Sequence, residues 1–405
     1  MKNSSNKKLQ YGWWVSFAGS FNMIISSGPT FQASSTLFRA IEDEFGWSRA
    51  LVSGVASFGR FGGALLGPLE GWLTDKFGSG IMVLIGFLLG GLGLILFSLI
   101  DSPIEYYITF FIFSLGYSIG GFVPSIVAVN LWMTKYRTTG MAIVIAGSSL
   151  SGLLVPLIIW GIDEYGWRYT YFLFGIISIL FAPILKKIIG KKPDNDKKET
   201  NFKSPNKLDS GKDFTLSESL QTQAFWSLSI SHALVNFSVG AISAHIYLHL
   251  TDFNGVNLSP AMSGLIMSLM AISAFTFQIL GGILGDKINK RALLPIFIFI
   301  QSVSLIIITF TENFFGATIF AVLWGVGFGA RTPLFHAIRG ELFGRKHFGT
   351  ISGVLSFPMV LSMMVSPVIV GWSFDMTGSY ESSFLIMTFL CFMATFTILF
   401  IKKPD

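Results

Sequence analysis

Apolar runs of 18 or more residues recur along the whole chain, and they limit the fold more than any other feature of the sequence. Examples are residues 81–100 and 292–310. Each run is long enough to cross a hydrocarbon layer of about 30 Å as an α-helix, which rises about 1.5 Å per residue. Only 12% of the 405 residues are charged, about half the proportion typical of soluble domains. The sequence therefore predicts a polytopic, all-α membrane protein.

Twelve membrane spans can be placed along the chain, separated by short polar or glycine-containing segments. They cover residues 11–36, 48–73, 80–100, 104–131, 138–160, 168–187, 223–249, 260–284, 292–310, 314–338, 348–372 and 381–401. A lysine-rich polar segment follows the sixth span and reads as a flexible linker. We predict an N-terminal six-helix bundle at 1–185, a cytoplasmic linker at 186–220 and a C-terminal six-helix bundle at 221–405.

The basic residues are distributed unequally across these spans. Of the 28 lysines and arginines, 23 fall on the side that carries both chain ends, and only Arg39, Arg49 and Arg168 fall on the other side. Because loops rich in Lys and Arg stay in the cytoplasm, both termini are predicted to be cytoplasmic, in a plasma membrane that would be the inner membrane of a bacterium. The net charge of +6 is thus a topology signal, and no nucleic-acid partner is expected.

The two halves of the sequence repeat one another. The stretch Gly71-Trp-Leu-Thr-Asp75-Lys76 returns 211 positions later as Gly282-Ile-Leu-Gly-Asp286-Lys287. A parallel repeat of this kind predicts a substrate site near the middle of the membrane, where the repeats meet. Spans 3, 6, 9 and 12 are almost purely apolar, so we expect them to face lipid. We expect the other eight spans to surround the path of the substrate through the membrane.

The loop motif Gly71-x-x-x-Asp75-Lys76-x-Gly78 and its second copy resemble the signature of the major facilitator superfamily. Further stretches resemble bacterial members of its monocarboxylate-porter and oxalate–formate-antiporter branch: Tyr11-Gly-Trp-Trp, Glu44-Phe-Gly-Trp-Ser-Arg49, Tyr165-Gly-Trp-Arg168, Phe343-Gly-Arg-Lys-His-Phe-Gly349 and Asp375-Met-Thr-Gly-Ser-Tyr380. The resemblance implies the major facilitator fold, in which twelve helices form two pseudo-symmetric six-helix bundles that rock about a central cavity.

The same resemblance implies a gating role for the loop motif and its copy. The residues concerned are Gly71, Asp75, Lys76, Gly78, Asp286 and Lys287. It implies that Asp75 docks near the start of span 11, around Phe348 and Gly349. A carboxylate is favoured there, because free backbone N–H groups point outward from a helix N-terminus.

Two arginines fall deep inside predicted spans. Arg60 lies about 18 Å from either end of span 2, and Arg331 lies about 15 Å from the cytoplasmic end of span 10. An uncompensated charge at such a depth costs about 3 kcal/mol. The nearest candidate partners are Glu70, assigned to the gating region, and Glu341, assigned to Arg339. Because a guanidinium stays charged and binds carboxylates in a bidentate manner, we predict that both arginines bind an anionic substrate.

Further polar residues complete the candidate site. The predicted substrate contacts are Arg60, Arg331, Asn22, Gln32, His232, Asn236 and Phe335, with His336 and Glu70 as candidate proton carriers. Gly28-Pro29 is expected to interrupt the helix of span 1. His245 and His249 stand four residues apart without an apparent third ligand, so no metal site is predicted.

Motifs for catalysis and for ATP binding are missing from the sequence. It contains no P-loop, no H-E-x-x-H and no G-x-S-x-G, so neither enzymatic activity nor a cofactor is predicted. We predict a secondary active transporter of a small, monocarboxylate-like organic anion that works by alternating access with proton symport. The expected partners are this substrate and the lipid bilayer, with no obligatory protein partner. Two alternatives stay open: a carrier of a neutral or cationic drug-like compound, and a non-transporting sensor on a transporter scaffold.

Overall fold

A computed structural model describes residues 2–133, 135–191, 213–253, 255–402 and 404. Within those ranges it does not describe the side chains of residues 2–8, 31, 32, 34, 35, 49, 50, 53, 56–65 and 260. In the described ranges the backbone forms helices and no β-strand, which confirms the all-α prediction. The predicted substrate contacts Gln32 and Arg60 lie outside the described side chains, so their roles stay predictions.

Eight helices form the first half of the chain. They are α1 (Lys2–Ser27), α2 (Ser34–Phe45), α3 (Arg49–Phe77), α4 (Ser79–Phe97), α5 (Pro103–Gly120), α6 (Phe122–Trp132), α7 (Arg137–Leu150) and α8 (Val155–Ile189). A π-helical turn, Gly28–Gln32, follows α1, and a 3-10 turn, Ser151–Leu154, joins α7 to α8. The π-helical turn interrupts span 1 at the predicted Gly28-Pro29 position, and the Pro29 carbonyl accepts a hydrogen bond from Tyr171 Oη at 2.9 Å.

Seven helices follow in the second half. They are α9 (Leu216–Leu220), α10 (Gln223–Thr251), α11 (Pro260–Lys287), α12 (Lys290–Thr309), α13 (Phe314–Phe343), α14 (Phe348–Thr377) and α15 (Glu381–Leu399). Residues 192–212 of the predicted linker lie outside the described residues. Of the remaining linker residues, the first belong to the end of α8, and α9 forms near its C-terminal border.

The helices reproduce the twelve predicted spans. In the described part of the chain, nine helical segments are long and apolar enough to cross a membrane by length and composition. One of them, residues 137–189, contains both span 5 and span 6. The two spans are separated by a break in α8 at Gly166, whose φ is 82°. Spans 1 and 2 correspond to α1 with its π-helical turn and to α3.

Local sequence signals explain where individual helices begin. At the start of α5, Ser102 Oγ accepts a hydrogen bond from the Glu105 N–H at 3.4 Å, and Glu105 Oε2 accepts one from the Ser102 N–H at 3.3 Å. This capping box satisfies two N–H groups that the helix itself leaves unpaired. Pro103, which has no N–H group, occupies the first turn of α5.

Glycines allow α4 to pack closely against its neighbours. A Cβ at Gly86 would lie 2.4 Å from the Gly120 Cα of α5, and a Cβ at Gly91 would lie 2.7 Å from the Gly175 carbonyl oxygen of α8. The opposite surface of α4 exposes large apolar side chains, among them Ile85. The glycines of span 3 are thus a packing surface, as is usual for helices in membranes.

Contacts between Cα atoms divide the chain into two compact units. The first unit comprises Met1–Lys135, Ile143–Ser210 and Arg345–Gly353, and the second comprises Tyr136–Ala142, Gly211–Gly344 and Val354–Asp405. Each unit therefore includes a short segment from the other half of the sequence. These two segments are the N-terminal turns of α14 and α7, respectively.

Candidate functional site

Arg331 is buried in the second unit, with 1% of its surface exposed. Its Nε donates a hydrogen bond to Gln301 Oε1 at 2.6 Å. The rings of Phe328 and Phe335 lie 5.3 Å and 5.9 Å from its Cζ. Its Nη2 is buried and has no hydrogen-bond partner in the part of the chain that the structure describes. Among the described residues, no carboxylate pairs with Arg331.

Gln301 connects Arg331 to a polar chain that crosses four helices. Gln301 Nε2 donates to Ser238 Oγ at 3.3 Å, and the thiol of Cys391 donates to the same oxygen at 3.5 Å. Ser238 Oγ in turn donates to the Val235 carbonyl oxygen at 2.7 Å. The helices involved are α10, α12, α13 and α15. Span 9, predicted to be almost purely apolar, therefore has three buried polar side chains, those of Gln301, Ser302 and Ser304.

Arg339 is a second buried arginine of α13, and its surface is 0% exposed. Its Nη1 donates to Ser356 Oγ at 2.8 Å, and its Nη2 lies 2.9 Å from His232 Nδ1. The predicted pairing of Arg339 with Glu341 is wrong, because Glu341 Oε1 binds Lys290 Nζ at 2.5 Å. The helix α13 also extends to Phe343, so Arg339 lies inside it and not in the loop where the sequence placed it.

The hydrogen bond from Arg339 determines the protonation state and the tautomer of His232. A guanidinium has only donors, so His232 Nδ1 must accept this hydrogen bond. The imidazole is consequently neutral and carries its proton on Nε2. Protonating Nδ1 would break the bond and place two cations side by side in a buried position.

The predicted residues of the second unit come together around His232. Its ring stacks on Phe335 with centroids 4.4 Å apart, and the His336 ring lies 6.1 Å away, edge to face. Asn236 Nδ2 donates to the His232 carbonyl oxygen at 2.7 Å. Phe335 also lies beside Arg331, and His232 binds Arg339. The stacked rings of Phe335 and His232 therefore connect the two buried arginines.

The predicted residues Asn22 and Glu70 of the first unit form hydrogen bonds with α5 and α6. Asn22 is fully buried, and its Nδ2 donates to the Gly120 carbonyl oxygen at 2.9 Å and to Ser125 Oγ at 2.8 Å. Glu70 is 4% exposed and accepts a hydrogen bond from Ser118 Oγ. Ser118 belongs to α5, and the assignment of Glu70 to the gating region stays a prediction.

Asp75 contacts the start of α14, where the sequence resemblance places it. Its Oδ1 accepts the Gly349 N–H at 3.0 Å, and its Oδ2 accepts the Thr350 N–H and the Thr350 hydroxyl, both at 2.7 Å. All three residues belong to the first unit. The carboxylate thus satisfies two of the N–H groups that a helix start leaves unpaired.

Asp286 makes the same contact at the start of α7, within the second unit. It accepts the Thr138 N–H at 2.8 Å, the Thr139 N–H at 2.9 Å and the Thr139 hydroxyl at 2.5 Å. Acceptor and donors are each offset by 211 positions from their counterparts in the first unit. The sequence repeat therefore extends to the hydrogen bonds.

The remaining residues of the loop motif have separate structural roles. A Cβ at Gly71 would lie 2.1 Å from the Gly349 carbonyl oxygen, so only glycine allows α14 to approach. Gly78 ends α3 with a φ of 87°, a conformation that favours glycine. Lys76 Nζ lies 4.6 Å from the centroid of the Trp72 ring, and Lys287 is exposed in the last turn of α11.

Comparison with known proteins identifies the family. The family model described as Major Facilitator Superfamily matches residues 15–256 and 228–405. The chain belongs to this superfamily. Family membership confirms the major facilitator fold, in a multi-pass integral membrane protein. Because the family and the similar proteins are transporters, the prediction that the chain is not an enzyme is also confirmed.

This major facilitator protein is similar to curated monocarboxylate transporters over most of its length. Monocarboxylate transporter 13 of Bos taurus is 22% identical over 384 residues, which cover 93% of this chain and 86% of that protein. Monocarboxylate transporter 2 of Mus musculus is 22% identical over 387 residues, which cover 91% and 80%. The confirmed resemblance is therefore to monocarboxylate transporters within the superfamily.

Solved structures show the same fold. The human organic anion transporter MFSD10 (TETRAN) matches with a TM-score of 0.71 at 14% identity, over 96% of this chain and 99% of that chain. A variant of the E. coli fucose:proton symporter FucP matches with a TM-score of 0.70 at 14% identity, over 96% and 97%.

The arginine cluster of this transporter comprises Arg331, Arg339 and their hydrogen-bond partners Gln301, His232 and Ser356. Of these, Gln301, Arg339 and Ser356 were not among the predicted site residues. Gln301 is the single amide in the mostly apolar run Phe297-Ile-Phe-Ile-Gln301-Ser-Val-Ser304, and an isolated amide inside a span is itself a signal. Arg339 was missed because the predicted span ended one residue before it. Continuing the helical pattern of α13 by one turn would have included it.

Proposed function

We propose that this transporter carries a small organic anion of the monocarboxylate class by alternating access. The similar proteins that are named monocarboxylate transporters support the substrate class. The equivalent contacts of Asp75 and Asp286 support the gating role of the loop motif. Each carboxylate binds the N-terminus of a helix, and a conformational change could release it. The gating residues are Gly71, Asp75, Lys76, Gly78, Asp286 and Lys287.

The burial of Arg331 without a carboxylate partner among the described residues is the observation on which the proposal depends. A buried guanidinium without a carboxylate partner is costly in a membrane protein. Arg331 Nε binds the Gln301 amide oxygen, and its Nη2 has no hydrogen-bond partner within the described ranges. A substrate carboxylate would supply the missing charge and accept from that nitrogen, and Phe328 and Phe335 would contact its apolar part. His232 and Asn236 complete the proposed site in the second unit. In the first unit, Arg60, Asn22 and Gln32 are proposed substrate contacts on the sequence argument alone.

Proton symport is the proposed coupling, with Glu70 or His336 as the carrier. Ionisable groups buried within membrane spans commonly belong to proton relays. Glu70 is buried and bound to a hydroxyl, so it can gain or lose a proton without breaking an ion pair. His336 lies beside His232 and thus near the proposed anion site.

The distribution of basic residues supports a plasma-membrane orientation with both termini in the cytoplasm. The side of the membrane that carries them holds 23 of the 28 lysines and arginines. In a bacterium this is the inner membrane. The proposed partners are the substrate anion and the lipid bilayer.

Uptake into proteoliposomes tests the proposal. Purified protein is reconstituted, and initial rates are measured for radiolabelled pyruvate and lactate with an imposed inward proton gradient. We expect Arg331→Ala to lower the uptake rate about thirtyfold or more, because truncating one partner of a desolvated charge pair costs 2–5 kcal/mol. Arg331→Lys should retain part of the activity, since lysine keeps the charge and loses the planar fork. Glu70→Gln should lose the stimulation by the proton gradient if Glu70 is the carrier.

Arg39→Ala is the matched control, because that arginine is 84% exposed and pairs only weakly with Asp43 at 3.9 Å. It should leave uptake unchanged. Normal uptake by Arg331→Ala would refute the anion site. Uptake of neutral or cationic compounds in preference to the acids would instead favour a drug-like substrate.

A further inference from the structure

Gln301 is a buried amide on a helix whose other membrane-embedded side chains are mostly apolar. Its side chain is 0% exposed. Burying an amide is costly unless its donors and acceptors are paired. Both ends of this amide are paired, with Arg331 on one side and Ser238 on the other. Its place in α12 is therefore explained by these two contacts.

The partners leave only one orientation for the amide. Arg331 Nε can only donate, so the Gln301 atom that faces it must be the oxygen. The amide nitrogen then faces Ser238 Oγ, whose own hydrogen is directed at the Val235 carbonyl oxygen. Ser238 Oγ also receives the thiol hydrogen of Cys391. The polar chain thus holds the Arg331 guanidinium by Nε, and the buried Nη2 has no hydrogen-bond partner among the described residues.

The chemical identity of Gln301 matters as much as its position. A glutamate has nearly the same size and would accept the same hydrogen bond from Arg331. It would also give Arg331 a permanent counter-ion at the distance of 2.6 Å now occupied by the amide oxygen. A fixed carboxylate at that position would neutralise the charge that a substrate anion needs. The amide positions the guanidinium and leaves its charge uncompensated.

We propose that Gln301 is a positioning residue that makes the Arg331 site selective for anions. It fixes the guanidinium through Nε, directs Nη2 toward the substrate carboxylate, and, being neutral, does not compete with it. This inference rests on the proposed function of Arg331. It adds that anion selectivity depends on a neutral hydrogen-bond acceptor on α12, at a position that the superfamily resemblance does not assign.

The test compares Gln301→Glu with Gln301→Met in the proteoliposome assay, using pyruvate and lactate. Methionine has a similar length and no charge, so it removes both hydrogen bonds and leaves Arg331 cationic. We expect Gln301→Met to raise KM about tenfold, from the lost hydrogen bond to a charged group, with kcat nearly unchanged. Gln301→Glu should lower kcat/KM about a hundredfold because of the resident counter-ion.

The order of the two variants distinguishes this role from a structural one. If Gln301 only supports packing, Gln301→Glu should be the more active variant, because glutamate keeps the bond to Arg331 and methionine loses it. The proposal requires the opposite order. It also requires that Gln301→Glu keep or raise the melting temperature while uptake falls, because a counter-ion stabilises a buried cation.

Ser302→Ala is the matched control on α12. Ser302 is also fully buried, and its hydroxyl donates only to the Ile298 carbonyl oxygen of its own helix at 3.0 Å. It should transport at the rate of the unmodified protein. Loss of uptake in Arg331→Ala together with normal uptake in Gln301→Glu would overturn this inference and leave the proposed function intact. Normal uptake in Arg331→Ala would overturn the proposed function itself.

Discussion

At the scale of single residues, Gly71 has a size requirement that the structure makes quantitative. An added Cβ would lie 2.1 Å from the Gly349 carbonyl oxygen and 2.5 Å from the carbonyl carbon. Because both atoms are backbone, α3 or α14 would have to shift. We expect Gly71→Ala to destabilise the protein by about 2 kcal/mol, as overpacking typically does. A lower melting temperature of the purified protein in detergent is the measurement.

Gly67 is the control for this substitution, one turn earlier on the same helix. The nearest atom to a Cβ there is the Gly353 carbonyl oxygen, 4.0 Å away. Gly67→Ala should therefore keep or raise the melting temperature, because alanine is the better helix former by about 1 kcal/mol. Equal melting temperatures for the two variants would contradict the requirement at Gly71.

The sequence identified some residues of the arginine cluster and misjudged others. Arg331 stood out because a charge in the middle of an apolar span is conspicuous, and its aromatic neighbours followed from helical spacing. The partners Gln301 and Ser356 did not, because they belong to other helices and tertiary contacts have no local signature. The choice of Glu341 for Arg339 failed for the same reason: sequence proximity suggested the pair, whereas Lys290 on α12 binds that carboxylate at 2.5 Å.

At the scale of helices, α7 and α14 share one kind of N-terminus. Each start receives a carboxylate from a loop motif, and each donates two backbone N–H groups and a threonine hydroxyl to it. An asparagine has one acceptor oxygen and no charge, so it cannot satisfy all three donors. We expect Asp75→Asn and Asp286→Asn each to cost about 1–2 kcal/mol of stability, measured as lower melting temperatures.

Asp163→Asn provides the comparison for these two variants, because Asp163 is exposed and its carboxylate accepts no hydrogen bond from a helix start among the described residues. Its melting temperature should not change. The loss in Asp75→Asn and Asp286→Asn should be similar, since the two contacts have matching geometry. A loss confined to one of the pair would show that the two repeats of the motif are not equivalent in stability.

The helices themselves were largely predictable from the sequence. Hydrophobic length placed all twelve spans, and most boundaries fall within a few residues of the observed ends. The break at Gly166 in α8 falls between predicted spans 5 and 6. A break inside a span was harder to place, because it depends on a single residue such as Gly121 at the junction of α5 and α6. The short helix α2 was not separated from span 1, since its amphipathic pattern continues directly from the apolar run.

At the scale of the whole molecule, the duplicated sequence explains why the loop motif occurs twice with the same contacts. The duplication does not extend to the arginine cluster. Arg331 has Phe122 at the equivalent position of the first half when the 209-residue offset that relates Gly116 to Gly325 is applied, and Gln301 has Gly90 there with the 211-residue offset of the loop motif. The scaffold contacts are thus repeated, whereas the proposed anion site belongs to the second unit's own sequence.

The orientation of the molecule is the prediction that depends on the sequence as a whole. The single cysteine, Cys391, is buried, and Cys391→Ser keeps a donor for Ser238, so a cysteine-free background is accessible. On it we would introduce Asp43→Cys, on the side with few basic residues, or Lys346→Cys, on the side with many; both positions are exposed.

In intact cells, a membrane-impermeant maleimide should label only the cysteine at position 43, because basic loops stay in the cytoplasm. Permeabilised cells should label both, which shows that each thiol is reactive. Labelling of position 346 alone in intact cells would reverse the proposed orientation.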